Sequence, residues 1–459
     1  MNQITISEIQ IIPVKPKNGL VAFVSFIINE SFFVSSVAVY TKLNNPDQYR
    51  LVYPSKQIGN KDTSLLYPIK KEAGAILKNR SRSNITNFLK NVMNMLDTVI
   101  LKVAENDYKI TKPDFFKPNA SKLYEHGFVG TSFKNNYKTA DKYYPRITIT
   151  PRSRGKGLGT KRDLKIEFSV PKLIYGNNLQ ELTIFDEKFV YQFLYQSLLE
   201  MGVEIKSDLA KFEVSGFDTS KNIFLSKDCF SFQIIEELNK CTLDRRLDLD
   251  NKEYRESTGT TLQFYSKAHS FVIYDKLADL NKPNKRATNK DRNELQKDLF
   301  TKYSDSQKQE IIRFEVRLRS RAKVRQLLGT FGYKIDTLYF ENLFNELLWK
   351  KILNYYWQSL IVDKNRFLFS KVNKTDLLVD KILKNNPEIK DNKVFQLIGI
   401  NTLAKEKGLP ELRKIYEKKL NGKNWSRFSK DFEKLNKITE IQDCFGWFEE
   451  VDRALRFDK

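Results

Sequence analysis

The sequence predicts an α+β protein in three parts: a small β-rich unit over residues 1–82, a central antiparallel sheet with helices over 141–322, and a helical region over 323–459. Three patterns carry this reading. Strand-length apolar runs fill the N-terminal part, strictly alternating strands recur in the centre, and helical spacing takes over after about residue 322. A chain of 459 residues exceeds one typical core, and a hydrophobic content of 41% is enough to bury several.

In chain order, ITISEIQII, LVAFVSFII and FFVSSVAVY read as strands, with Asn29-Glu30-Ser31 as a hairpin turn between the last two. RLVYPSKQ follows, and YPIKKEAGAILKNRSR turns helical. NITNFLKNVMNMLDTVILKVAEND has apolar positions at helical spacing, so residues 83–140 are expected to form a helical connector and then a polar linker. YYPRITITPRS and DLKIEFSVPKL flank RGKGLGTKR, a hairpin whose tip holds Gly155, Gly157 and Gly159. It lacks the P-loop spacing, so NTP hydrolysis is not expected. Arg152, Arg154 and Lys156 suit it to gripping DNA phosphates; the same composition also makes a plain basic turn.

A helix is expected from about Phe185 to Gly202, then the strand LAKFEVSGFDTSKNIFL and a helix near 229–240. TTLQFYSKAHSFVIYDK reads as a strand pair, residues 281–309 as a polar insertion, and IIRFEVRLR as a closing strand. Beyond it, ENLFNELLWKKILNYYWQSLIV is apolar on one face. NTLAKEKGLPELRKIYEKKL reads either as two packed helices or as a DNA-reading helix-turn-helix.

Composition narrows the chemistry. Lysine and arginine outnumber acids 79 to 56, a net charge of +23, which points to a polyanionic partner, nucleic acid first. The longest apolar stretch, Val21 to Val39, is broken by Asn29 and Glu30 and alternates like strands, so no transmembrane helix is expected. MNQITISEIQ lacks a basic n-region and an apolar h-region, so no signal peptide is expected in it. Three cysteines without a CxxC pair fit a reducing cytoplasm. With only His126 and His269, a metal site has to be built from carboxylates, which favours Mg²⁺ or Mn²⁺ over zinc.

Alternation places the candidate site. In the strand Ile311 to Arg319, Ile312, Phe314, Val316 and Leu318 share one face, while Arg313, Glu315, Arg317 and Arg319 share the other. A carboxylate between arginines is a structural ion-pair ladder or a metal ligand beside phosphate-binding arginines, here Arg313 and Arg317. DLKIEFSVPKL repeats the design with Glu167 on its polar face. Asp218 follows a glycine, and parity does not give its facing, because Phe212, Val214 and Asp218 share a register. In SFVIYDKLADL, Tyr274 stands two residues before Lys276. About one tyrosine in a thousand is ionised at neutral pH, so Tyr274 as a nucleophile needs a cation such as Lys276 to stabilise its phenolate. Lys221 and Lys56 are further candidates for phosphate contact.

Two resemblances add expectations. GLVAFVSFIINESFFVSSVAVY, RLVYPSK and YPIKKE, in that order, resemble the stage V sporulation protein G family. This implies a sheet with a C-terminal helix that binds nucleic acid with modest sequence preference. LKIEFSVPKLIYGNN, VSGFDTSKNIFL, VIYDKLADL and IIRFEVRLRSR resemble replication initiators of the filamentous-phage gene II type. These are rolling-circle initiators related to the HUH endonucleases. They nick one strand, stay on the 5′ end through phosphotyrosine and leave a 3′ hydroxyl for a polymerase. The resemblance implies Tyr274 as nucleophile with Lys276 beside it and maps the family's motif glutamate to Glu315; with Asp218 and Glu167, the carboxylates read on the same sheet, it is an expected ligand for Mg²⁺ or Mn²⁺. Asp218 stands where related sequences often carry histidine, and no His-hydrophobic-His motif exists. Expected partners are origin DNA and the host polymerase and helicase. The same chemistry would serve a conjugative relaxase or a transposase, and a non-catalytic DNA-binding regulator stays open.

Overall fold

The computed structural model describes residues 5–17, 20–42, 45–58, 61–64, 67, 96–118, 132–139, 142–153, 160–176, 178, 182, 186–226, 229–241, 259–281, 310–333, 336–371, 375–419 and 425–456. It is a mixed α and β structure built on a large antiparallel sheet, with a helical C-terminal region.

The N-terminal part is a four-stranded antiparallel sheet, β1 (Ile6–Lys17), β2 (Leu20–Ile28), β3 (Phe32–Lys42) and β4 (Asn45–Val52), in sequential order. The turn between β2 and β3 uses Asn29 and Glu30 at φ 48° and 54°, the left-handed pair that a tight hairpin needs. A two-stranded hairpin follows, β5 (Ser55–Ile58) with β6 (Lys61–Ser64).

The nine-stranded sheet is built from β7 (Leu96–Val103), β9 (Phe116–Pro118), β10 (Phe133–Asn135), β11 (Arg146–Ser153), β12 (Thr160–Ser169), β14 (Glu213–Phe224), β15 (Thr261–Tyr265), β16 (His269–Asp275) and β17 (Ile311–Leu318). Its order is β15-β16-β17-β14-β7-β12-β11-β10-β9. The short strands β8 (Tyr108–Ile110) and β13 (Val203–Ile205) pair apart from it.

The expected helical connector is corrected here. Residues 96–103 are a central strand, paired with β14 on one side and β12 on the other. The segment TVILKV is β-branched at Thr98, Val99, Ile100 and Val103, which favours a strand once both neighbours offer backbone partners. The expected linker likewise contributes β9 and β10 to the sheet edge. Residues 84–95 lie outside the described residues, as do the polar insertion at 282–309 and the basic hairpin tip with Arg154 and Lys156.

The apolar face of the sheet carries the core. Phe217 of β14 meets Trp349 edge-on at 5.4 Å, and Phe314 of β17 meets Trp357 at 5.7 Å. Both tryptophans belong to the helix at Glu346–Trp357, and Phe448 of the helix at Gly446–Arg456 packs tilted against Trp357 at 5.3 Å. The C-terminal helices therefore roof the sheet and share its core. In the possible helix-turn-helix, the turn at Gly408 is seated on the backbone of Lys240, and Leu409 and Leu412 are buried, which is the packing of two core helices.

Two bulges shape the sheet beside β14. Val214 pairs with Leu101 and Gly216 with Ile100, so Ser215 is the extra residue. Phe217 pairs with Val99 and Thr219 with Leu96, so Asp97 and Thr98 lie opposite Asp218 alone. The first bulge removes the parity conflict: Val214 and Phe217 both face the core, and Asp218, Ser220 and Asn222 face the other side. Gly216 has a reason of its own. A Cβ there would stand 2.7 Å from the Leu318 carbonyl oxygen.

Gly216→Ala should therefore destabilise the protein by about 1–3 kcal/mol through overpacking of β14 against β17. Gly329→Ala, in a helix with open space at that point, should be stabilising by about 0.5–1 kcal/mol. Urea melts of the two variants check both signs.

Candidate active site

On the sheet face opposite the core, β17 presents Arg313, Glu315, Arg317 and then Arg319, as alternation predicts. Its neighbours complete the face. Across β14, Asn222 pairs with Arg313, Ser220 with Glu315 and Asp218 with Arg317. Across β16, Tyr274 pairs with Arg313, which brings the phenol to the same end.

The side chains form one chain of contacts. Tyr274 donates its hydroxyl to Glu315 Oε2 at 3.1 Å. Arg313 Nε donates to the same oxygen at 3.4 Å, and Arg317 Nε donates to Oε1 at 2.6 Å. Arg313 also reaches Asp97 Oδ2 at 2.6 Å, Asn222 Oδ1 at 3.0 Å and the Asn178 carbonyl at 2.9 Å. Asp97 Oδ1 accepts from Ser169 Oγ at 3.0 Å. At the other end, Arg319 donates to Asp218 Oδ2 at 2.6 Å, while Asp218 Oδ1 is buried without a hydrogen-bond partner. Asp97, Arg313, Glu315, Asp218 and Tyr274 are all buried, whereas the side chains of Arg317 and Arg319 are each 36% exposed. Alternation gives the face of Arg313 but not its depth. It is an internal cation, not the surface DNA contact expected.

Burial sets the protonation states. It raises the Tyr274 phenol well above its ordinary value, and Arg313 is the cation that opposes this most. Burial would also raise Glu315, but Arg317 and Arg313 bring it down to about 2. Burial pushes Asp218 up despite Arg319. Lys276 is buried with its Nζ 5.8 Å from the Tyr274 ring centre, and burial together with Arg313 lowers it to about 7. At neutral pH Lys276 is thus only partly charged, and the constant cation beside Tyr274 is Arg313. His269 sits on the apolar side beside the Tyr356 hydroxyl, and burial lowers it to about 4.

The remaining expected residues lie elsewhere. Glu167 on β12 is three strand spacings from β17, about 14 Å, and pairs with Lys165 at 2.7 Å and Arg146 at 3.3 Å. It does not join Glu315 and Asp218. Lys221 is half-buried on the apolar-face register opposite Phe314. Arg152 belongs to β11 and Lys56 to β5. Asp97, Ser169 and Asn222 are functional candidates that motif reading missed; the one signal for Asp97 was an acid inside an otherwise apolar, β-branched run.

A divalent ion does not fit these carboxylates as they stand. Both oxygens of Glu315 and of Asp97 are engaged by arginine, tyrosine or serine donors. Among the described residues, no group of three or more His, Cys, Asp and Glu side chains is placed to hold an ion. The arrangement instead holds a phenol against a carboxylate, with arginines reaching outward.

The polar face of the sheet thus carries a buried tyrosine-carboxylate pair, with Arg317 and Arg319 bridging from Glu315 and Asp218 toward solvent. Compared with known families, residues 95–332 match the N-terminal region of the replication-associated gene II protein of phages. The match spans just over half of the chain, and the protein belongs to this family of replication-associated proteins. Comparison with curated proteins gives no match. The matched segment opens one residue before β7 and closes just after the helix at Arg321–Thr330, so it contains the whole nine-stranded sheet. Among the described residues no helix is long and apolar enough to cross a membrane.

The buried lysine gives a pH test. The unfolded chain keeps the Lys276 proton up to about pH 10, while the folded protein sheds it at about 7. Between those values the unfolded state holds more protons, so stability rises with pH. Relative to Lys276→Met, the wild type should gain stability from about pH 7 to about 10 in urea melts. A difference that is flat or falls across that window contradicts the assignment.

Proposed function

We propose that this protein initiates DNA replication by nicking one strand, with Tyr274 as the attacking group. The observation that carries the reading is the Tyr274 hydroxyl bonded to Glu315 within the segment that matches the family. The phenol oxygen attacks the scissile phosphorus while Glu315 Oε2 orients its hydroxyl, and the phenol proton leaves to water. The bond from phosphorus to the 3′ oxygen breaks, and that oxygen takes up a proton from water as a free 3′ hydroxyl. The 5′ phosphate remains on Tyr274 as a phosphodiester, so its energy is kept for a later rejoining. Arg313 stabilises the phenolate as it forms, and Arg317 and Arg319 stand where they can meet the DNA phosphates.

In this reading the host polymerase extends the 3′ hydroxyl and a helicase separates the strands. Membership of a replication-associated family favours initiation over conjugative transfer or transposition. The complete pairing of Glu315 and Asp97 gives one observation to a second reading, a DNA-binding regulator without cleavage.

Tyr274→Phe should abolish nicking of supercoiled origin DNA and leave DNA affinity close to wild type, since only the hydroxyl is removed. Glu315→Gln should slow nicking by about 10²-fold, because the Tyr274 hydroxyl loses the carboxylate that orients it. Origin DNA bound but not nicked by the wild-type protein would favour the regulator, and wild-type nicking by Tyr274→Phe would rule the tyrosine out as the attacking group. The N-terminal residues 1–82 add affinity without chemistry in this account. Their deletion should flatten the salt dependence of DNA binding, because each phosphate contact contributes a log-log slope of about −0.9 on duplex DNA. An unchanged slope contradicts that role.

A further inference from the structure

At the edge of the nine-stranded sheet far from Tyr274, aromatic and basic side chains gather that the nicking site does not use. Tyr274 stands on β16, and β10 is six strand spacings away, about 29 Å. Phe115, just before β9, stacks on Tyr137, just after β10, with ring centres 4.8 Å apart. Tyr137 meets Tyr144 edge-on at 5.2 Å. Ammonium groups flank the three rings. Lys112 Nζ lies over Phe115 at 5.3 Å, and Lys142 Nζ lies over Tyr144 at 5.2 Å. Tyr144 and Lys142 also donate to the Glu200 carboxylate, at 2.6 Å and 2.8 Å, which fixes that end of the ledge.

We propose that this ledge is a second nucleic-acid site, where unpaired bases of single-stranded DNA stack on Phe115 and Tyr137 while neighbouring lysines hold the phosphates. A base takes the place of the Lys112 ammonium over the Phe115 ring, and the exposed lysine swings to the adjoining phosphate. The proposal rests on the nicking reading only in taking DNA as the strand.

Three observations support it. The first is the state of the rings. All three are half-buried; Tyr137 and Tyr144 lean on the core from outside, and Phe115 is not part of it. A ring held in place by a packed partner while still meeting water is a ready surface for a flat base. The second is local charge. Residues 109–118 and 132–144 carry six lysines against two acids, Asp114 and Asp141. Burial and the nearby Lys134 both lower Lys138. The third is register. Lys102, Lys165, Thr148, Lys134 and Lys117 are successive cross-strand partners from β7 to β9. Like charges directly opposite one another destabilise a sheet. Lys102 and Lys165 turn to Asp163 and Glu167, at 3.2 Å and 2.7 Å. Lys134 and Lys117 oppose each other, and no acid pairs with either among the described residues. A polyanion laid across the strands relieves that repulsion. The row runs over the polar face from β7 to the ledge, so one strand of DNA can pass from the Tyr274 end of the sheet to the rings.

The test is fluorescence anisotropy with the full chain and three labelled probes of about 16 nucleotides, the upper end of what such grooves cover. The probes are oligothymidine, an abasic single strand and a duplex. Phe115→Leu combined with Tyr137→Leu should weaken oligothymidine binding by about tenfold or more and leave the abasic strand and the duplex at wild-type affinity, because only unpaired bases can stack. Lys117→Gln combined with Lys134→Gln should weaken the abasic strand as well, and its log-log salt slope should be shallower by about 1.4, two single-strand phosphate contacts. Wild-type oligothymidine affinity in the leucine variant overturns the stacking site. An equal loss on the abasic strand also overturns it, since that loss reports damage to the sheet edge. An unchanged salt slope in the glutamine variant overturns the lysine row. Tighter binding of oligouridine than of oligothymidine, lost in the leucine variant, assigns the ledge to RNA and overturns the DNA proposal. Failure of the nicking reading looks different: oligothymidine binding would follow these expectations while the wild-type protein left origin DNA uncut.

Discussion

A guanidinium buried in the middle of a sheet is the constraint on which the rest of this structure depends. Arg313 lies on an inner strand with almost no exposure, and burial of an unmatched charge is among the costliest defects a fold can carry. Its partners come from four places: Asp97 on β7, Asn222 on β14, Glu315 on its own strand and a carbonyl at Asn178. Because three adjacent strands contribute, their register is tied to the charge. A slip of one residue in any of them would turn a core side chain to the polar face and strand the arginine. Tyr274 joins the same network through Glu315, so the geometry around the phenol is held by the sheet itself and not by a loop.

The bulges serve that network. At Ser215 the chain takes one extra residue, and Asp218 turns to the arginine side while Val214 and Phe217 both stay in the core. On β7, the second irregularity sets Asp97 opposite Asp218. Both devices cost ladder regularity and gain a buried acid at a chosen place. Gly216 is the residue that lets β14 and β17 remain close beside the first of them.

This division between regular and irregular backbone also decides what the sequence makes legible. The faces of β17 and the positions of Tyr274 and Glu315 follow from alternation and from motifs. The helix over Glu187–Glu200 and the β15–β16 pair follow from periodicity. Asp218 resists parity because a bulge resets the count. The strand β7 is misread as helix because the run before it has apolar residues at helical spacing, while its pairing partners lie far along the chain. With β7 misread, Asp97 is lost from the site. Glu167 has the right face but the wrong strand, and strand order is a long-range property that local pattern does not encode. Depth is equally hidden: alternation separates Arg313 and Arg317 from the core but does not distinguish the enclosed arginine from the one at the solvent.

The central claim is that the Tyr274 oxygen becomes bonded to DNA. The most direct measurement incubates the wild-type protein with a single-stranded origin oligonucleotide, digests the covalent product with nuclease and protease, and locates the residual nucleotide by peptide mass spectrometry. The account predicts one modified peptide, with the nucleotide 5′ phosphate on Tyr274. A nucleotide on another tyrosine, or a nicked product with no protein attached, would contradict it.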